Sequence, residues 1–572
     1  MLRSRFMICL LAIGVAACGD APEESLEPMA DRVLTGGVVV TVDPQQPEAE
    51  AIAIRDGRIQ ALGTVAAIGR LVGPDTDVID LEGRVVLPGF IEGHGHFLGL
   101  GDAQMILDLQ RTASFEMMVA QVAEAAAETE PGVWILGRGW HQERWDPVPE
   151  PAYDGVATHH AMSAVSPDNP VLLTHASGHA SFANARAMAL AGIDRDSEDP
   201  AGGTIVRDED GEPTGFLRQA AQMPVRRALQ QSRESMSEEE RQTRFLRQVE
   251  LAGAEALRHG VTSFHDQGTG FDDIDRLIAL AEEGRLPIRL HVAVRGESNA
   301  DMDQRLPNYR RVGYGGHFLT VRSVKRAIDG ALGTHGAWLL EPYTDKPDTS
   351  GLPQTPLESL RETAEVALRH GFQLNTHAIG DRGNREALNV YEDVLGRDET
   401  GDRRWRIEHA QNLHPDEVPR FAALGVIASM QGIHATSDGP WVPQRLGAER
   451  ARQRAYVWRS LLDADAVICN GTDVPVEPIS PLASYHASVS RMMANGERFF
   501  PEQSMERLEA LRSYTIGCAR AVFEEDLLGT ITPGKLADLV VLDGNPLTVP
   551  EDLLPALQVE MTLVGGEVRY RR

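Results

Sequence analysis

Eight short apolar runs rich in β-branched residues restrict the fold of this chain more than any other feature. They are Val86–Ile91, Gly260–His265, Ile288–Val294, Leu319–Ile328, Phe372–His377, Trp405–His409, Val426–Met430 and Val467–Asn470. Continuous apolarity over so few residues suits strands covered on both faces. Between the later runs lie helical patterns such as Leu357–Arg369, with Leu360, Ala364, Val366 and Leu368. Two helical patterns close alike, at Leu257-Arg258-His259-Gly260 and Leu368-Arg369-His370-Gly371, with glycine at the C-cap. Eight strands with intervening helices is the count of a TIM-type (β/α)8 barrel. The spacing is too irregular for a solenoid.

Both ends read differently. Val38–Val42, Ala51–Ile54 and Arg58–Leu62 are short strand-like runs separated by turn signals such as Asp56-Gly57. Near the C-terminus Leu539–Leu542 is another, and Val559, Met561 and Leu563 alternate with Glu560 and Thr562 at the period of a half-buried strand. These ends, 32–86 and 528–572, predict one small sheet domain built from both termini around a barrel over 87–527. One interval is too long: about 98–258 separates the first two barrel strands, where a βα unit takes roughly 30 residues. It predicts an insertion at the barrel mouth, carrying Trp134, Trp140, His141, Trp145, His175 and His179.

The first residues form a separate object. Arg3 and Arg5 precede the apolar run Phe6–Ala17, which is too short to span a bilayer and has the layout of a secretory signal over 1–17. Its ending, Val15-Ala16-Ala17-Cys18, resembles a bacterial lipobox, which implies cleavage before Cys18, a lipid on its thiol, and an exported, membrane-tethered protein. Residues 18–31 then read as the tether. Cys469 and Cys518 are too few for a disulfide framework, and Cys469 reads as a small buried hydrophobe. A net charge of −29 argues against nucleic acid, whose phosphates would be repelled.

The chemistry starts at Leu87-Pro88-Gly89-Phe90-Ile91-Glu92-Gly93-His94-Gly95-His96. Residues two apart on a strand face the same side, so His94 and His96 converge as a divalent metal requires. His377 and His409 close the fifth and sixth predicted strands, and Asp473 follows the last. Functional groups of barrels sit at those strand ends. A lone histidine there would read as core; two paired histidines, two more and an aspartate in barrel order are specific.

Together with Ser177–Ala187, Ala201–Gly215, GVTSFHD, VKRAIDGALGTHGA, HAIGDRGN, RIEHAQ, SMQGIHATSD, GTDVPVEP and GKLADLVVLD, this segment resembles the amidohydrolase superfamily, in particular amidohydrolase family 3, over nearly the whole mature chain. The resemblance implies a distorted (β/α)8 barrel with a β-sandwich from both termini. It also implies one or two divalent metals, zinc suiting these ligands best, that activate water for hydrolysis of a non-peptide C–N bond in a small amide-type substrate. The metal set it implies is His94, His96, His377, His409, Asp473 and Lys325, the last N6-carboxylated to bridge two ions. Asp473 would act as the proton shuttle and His434 either as the oxyanion stabiliser or as a structural histidine of its loop. Trp140, His141 and His179 would line the substrate pocket or pack. One departure is Gly333-Thr334-His335, where relatives often carry Gly-Ser-Arg. Two other readings stay open: a mononuclear deaminase-like hydrolase with Lys325 unmodified, and a lipoprotein that binds metal or ligand without turnover.

Overall fold

The computed structural model describes residues 28–153, 155–176, 178–396 and 401–572. The signal, the lipobox cysteine and most of the tether therefore lie outside the described residues.

The eight runs form parallel strands β1 (Phe90–Gly95), β2 (Val261–Thr269), β3 (Arg289–Val294), β4 (Leu319–Ala327), β5 (Gln373–Ala378), β6 (Arg406–His409), β7 (Ile427–Gln431) and β8 (Ile468–Gly471). They pair in chain order from β1 to β8. Beyond the last strand, Asp473 N donates to His94 O at 2.7 Å and His96 N to Val474 O at 2.8 Å, which draws β8 onto β1 and nearly closes the barrel. Helices lie between the strands, and one of them, Leu357–His370, stops at Gly371, whose φ of +70° is the left-handed cap that glycine adopts without strain.

The first strand departs from the expected Val86–Ile91. The run is split at Gly89, with Val85–Pro88 belonging to another sheet and β1 starting at Phe90. A Cβ on residue 89 would lie 2.3 Å from Thr262 Oγ1, so only glycine lets the chain cross from one sheet to the other here.

That other sheet has six strands, in the order Glu567–Arg571, Val559–Val564, Leu539–Leu542, Val85–Pro88, Val38–Val40 and Glu48–Ala49. A four-stranded sheet, Arg58–Gly63, Ala51–Arg55, Arg32–Thr35 and Asp77–Asp80, faces it across a core that includes Leu34, Ile52, Ile54, Val86, Val541 and Leu563. The two ends of the chain thus share one β-sandwich. A buried bidentate ion pair, Arg289 Nε and Nη2 to Asp538 at 2.7 and 2.9 Å, joins it to the start of β3.

The insertion is more than a loop. It has a six-stranded sheet of its own, running Gly203–Arg207, Pro213–Gln219, Ala180–Ala183, Val171–His175, Ile135–Trp140 and Leu107–Asp108, and its own apolar core. It leaves from the C-terminal end of β1 and returns through the helix Glu238–Arg258, whose Ser237 and Glu240 form a reciprocal capping box.

The two folded-part cysteines also differ from their reading as isolated thiols: Cys469 on β8 is disulfide-bonded to Cys518 on the helix Ile516–Ala521.

Candidate active site

Along β1 and into the residue that follows it, Glu92, His94 and His96 alternate with Gly93 and Gly95, and these two are glycines for a physical reason. A Cβ on Gly93 would lie 2.3 Å from Cys469 Sγ, and one on Gly95 would lie 2.5 Å from Phe264 Cζ. The outer face of β1 is therefore pressed flat, which lets both histidines sit deep at the strand end. Glu92 is fully buried and accepts from Thr472 N at 2.6 Å and Thr472 Oγ1 at 3.1 Å. It thereby fixes the residue just before Asp473. Burial pushes the Glu92 carboxyl up to about 8 against the hydrogen bonds from Thr472.

Across this seam the metal-type ligands meet. Asp473 Oδ1 lies 3.5 Å from His94 Nε2 and 3.3 Å from His96 Nε2, and one ligand atom from each of the three falls within 4.8 Å of the others. The rings of His94 and His409 are 4.6 Å apart, those of His377 and His409 4.4 Å, and His409 stacks on His434 at 6.4 Å. The five histidines proposed for the metal and oxyanion roles are thus neighbours of Asp473 or of one another. Lys325 is buried on β4, and its charge acts on His94, His377, His409 and Glu408.

The protonation states suit cation binding. Burial, and then the charge of Lys325, bring His94 down to about 4; burial takes His377 and His409 well below the usual histidine value. Neutral imidazoles offer the lone pairs a metal needs. Burial pushes the Asp473 carboxyl up, but the adjacent His96 ring and the other histidines outweigh it and hold it well below the ordinary carboxylate range. Burial brings the Lys325 amine down to about 8, although Glu408 and Asp473 pull it up.

Two residues that sequence reading passed over orient the imidazoles. Glu408, fully buried, receives the Nδ1–H of His94 at 2.5 Å, which leaves Nε2 as the free lone pair. Gln431, closing β7, does the same for His409 Nδ1 at 2.7 Å. A hydrogen bond at one ring nitrogen that exposes the other is the support metal-ligating histidines use. Glu408 is held in turn by Arg406, whose Nη2 also donates to Gly93 O at 2.7 Å and Ser429 Oγ at 2.6 Å. One guanidinium in the barrel centre thereby ties β1, β6 and β7. Burial pushes Glu408 up, but Arg406 and His94 outweigh it and keep it well below the usual value, hence ionised.

The donor set fits a divalent cation. Among the described residues, the buried polar atoms without a hydrogen-bond partner include Nε2 of His94, of His377 and of His434, and Oδ1 of Asp473. Such atoms each cost about 1–3 kcal/mol when left unsatisfied, and a shared cation would satisfy those of His94, His377 and Asp473.

The residues proposed for a substrate pocket fare differently. Trp140 is fully buried in the insertion's own core, stacks on Trp145 at 5.5 Å and donates Nε1–H to Leu173 O at 2.9 Å. Its expected place on a pocket wall is corrected to packing, because ring and indole N–H are both spent there. His179 lines a cavity of the insertion with Gln142, His175, Phe216 and Arg218, and the ring of His141 lies 4.5 Å from that of His175. His335 has a left-handed φ of +58° and pairs with Asp345 at 3.1 Å.

A parallel (β/α)8 barrel whose C-terminal strand ends gather histidines and a carboxylate defines the class: a hydrolase-type barrel with a candidate metal centre. The chain belongs to the Amidohydrolase family, whose sequence profile matches residues 77–570. It is 34% identical over 556 residues to Protein LONG AFTER FAR-RED 3 of Arabidopsis thaliana, covering 95% of this chain and 92% of that protein. It is 30% identical over 546 residues to the putative amidohydrolase YtcJ of Bacillus subtilis, covering 94% and 99%. It is 28% identical over 554 residues to the N-substituted formamide deformylase of Arthrobacter pascens, covering 95% and 99%. Among solved structures, an uncharacterized metal-dependent hydrolase from Pyrococcus horikoshii superposes with a TM-score of 0.72 at 26% identity, covering 91% of this chain and 99% of that one.

Proposed function

We propose that the protein hydrolyses a non-peptide C–N bond, in an amide, formamide or cyclic amide, with water activated at the histidine–carboxylate centre. The observation that carries this reading is the convergence of His94, His96 and Asp473, with orphaned Nε2 and Oδ1 atoms, at the face where barrels do chemistry. The likeness to a formamide deformylase supports the bond type. His94, His96, His377 and His409 would hold the cation with Asp473, and their imidazole-rich set suits zinc. A bound divalent cation supplies acidity to water, to a pKa of about 7, and polarises the scissile carbonyl.

The chain's own groups do the rest. Glu408 and Gln431 keep the Nδ1 protons of His94 and His409 away from the centre. Asp473, ionised, accepts the proton of the attacking water at Oδ1 and returns it to the departing nitrogen. His434, with a buried and unpartnered Nε2, donates to the oxygen on which negative charge grows. Lys325, with its amine lowered to about 8, has an appreciable neutral fraction near pH 7. The neutral amine could add to carbon dioxide and lose a proton, and the carbamate so formed would be an anionic oxygen ligand that helps hold the divalent metal.

The test pairs metal content per chain with turnover of a panel of N-acyl and N-formyl compounds. His96→Ala is expected to lose at least one metal per chain and nearly all turnover while keeping its circular dichroism, since the barrel core does not involve that side chain. A variant with full metal and full turnover would remove His96 from the site.

We further propose that the protein is exported and tethered through a lipid on Cys18. The charged, apolar and small-residue order of residues 1–18 supports this, and the Cys469–Cys518 disulfide is of a kind that persists in oxidising compartments. Mass spectrometry of the native N-terminal peptide is expected to start at Cys18 and to carry acyl mass. An unmodified peptide beginning at Met1 contradicts it.

A further inference from the structure

We infer that Arg295 selects the substrate, and that the amide it selects carries a free carboxylate close to the scissile C–N bond. The inference rests on the hydrolase reading above and adds to it a substrate class and a specificity residue.

Arg295 is the first residue past β3, at the C-terminal face of the barrel. Its N–H donates to Thr269 O, at the end of β2, at 3.1 Å. Its side chain then runs across β2, and Gly268 is the slot that admits it. A Cβ on residue 268 would lie 2.2 Å from Arg295 Cδ, 2.5 Å from Cβ and 2.9 Å from Cγ, and the glycine has a φ of +144°. The aliphatic stem is thus fixed against the strand that lies between β1, which carries His94 and leads into His96, and β3. The guanidinium is exposed, and among the described residues it makes no hydrogen bond or ion pair. Its charge is also felt at the centre, by Lys325 and His377.

A solvated surface arginine is the ordinary explanation of such a group, and two features argue against it. The chain has 84 acidic residues to 55 basic ones, and other guanidiniums near the strand ends and core are engaged: Arg289 by Asp538, Arg406 by Glu408, Arg454 by Asp381. A further cationic candidate beyond the strand ends, His335, is taken by Asp345. Arg295 is left at the catalytic end of the barrel with its planar fork unspent, and that fork matches a carboxylate bidentately. With the amide carbonyl at the histidine cluster, the acid group of an N-acyl or N-formyl amino acid would meet Arg295.

The experiment uses the full metal-loaded protein and matched probes, N-formyl and N-acetyl amino acids against their carboxamides. In wild type kcat/KM for the acid is expected to exceed that for the carboxamide. Arg295→Gln should lower this ratio about 10- to 100-fold, the usual worth of hydrogen bonds to a charged group. Arg295→Lys should restore part of it, since charge returns without the fork, and Arg295→Glu should favour the carboxamide. Equilibrium binding of the same acids to wild type and Arg295→Gln is measured alongside and needs no turnover. Hydrolysis with the same acid-to-carboxamide ratio in both proteins overturns the arginine inference and leaves the hydrolase reading standing. Acid binding that is lost in Arg295→Gln, without turnover in either protein, keeps the arginine and overturns the hydrolase reading. Neither binding nor turnover in wild type overturns both.

Discussion

Replacing Asp473 by asparagine is expected to lower kcat about 10²-fold or more while the histidines still hold metal. The residue follows β8 in a left-handed backbone conformation, with φ +59°, and its N–H is bonded to His94 O. That strained geometry places Oδ1 between the Nε2 atoms of His94 and His96. Asparagine reproduces the shape and one oxygen but has no proton affinity to offer an attacking water. Occupancy must be read in the same sample, because losing an anion from the centre also weakens cation binding. Near-normal kcat with metal present would move the general base to another group.

Lys325→Ala is expected to lower metal content from about two per chain to one or fewer and to abolish turnover. As an ammonium, Lys325 would aim a positive charge at cations in a buried site, an arrangement that low-dielectric surroundings make costly. As a carbamate it would present two anionic oxygens, one to each ion. Short-chain carboxylic acids added to Lys325→Ala are expected to restore part of the activity by supplying the missing bridge. A variant that keeps its metal and its rate would leave the mononuclear arrangement in place, with His94, His96 and Asp473 as its centre.

The barrel was legible because its strands are doubly buried and their apolar runs stand out, and His94 and His96 because period two puts them on one face. Three features were not. The break at Gly89 lies inside a single apolar run, and composition does not change where the chain passes from one sheet to the next; only the closeness of Thr262 shows why glycine is there. Glu408 was hidden by its neighbour, since strand alternation sends residues 408 and 409 to opposite sides. Both reach His94 because His409, at φ +75°, leaves the extended conformation. The Cys469–Cys518 pair joins elements 49 residues apart, and two cysteines in a long chain carry no local signal of pairing. Trp140 misled for a related reason: an aromatic residue beside histidines looks the same in sequence whether it faces a ligand or, as here, a second tryptophan.

The shared sandwich has a consequence for biogenesis. Val85–Pro88, which leads straight into the strand carrying His94 and His96, is paired on one side by Val38–Val40 and on the other by Leu539–Leu542. A ribosome delivers the second partner only after nearly the whole barrel has emerged. Until then one edge of the segment that leads into the histidine strand is an open row of backbone donors and acceptors, the kind of edge that recruits wrong partners. Completion of the site thus waits for the last residues of the chain. Shortened products that end before Leu539 would leave that edge bare and so become substrates for quality-control proteases rather than slow enzymes.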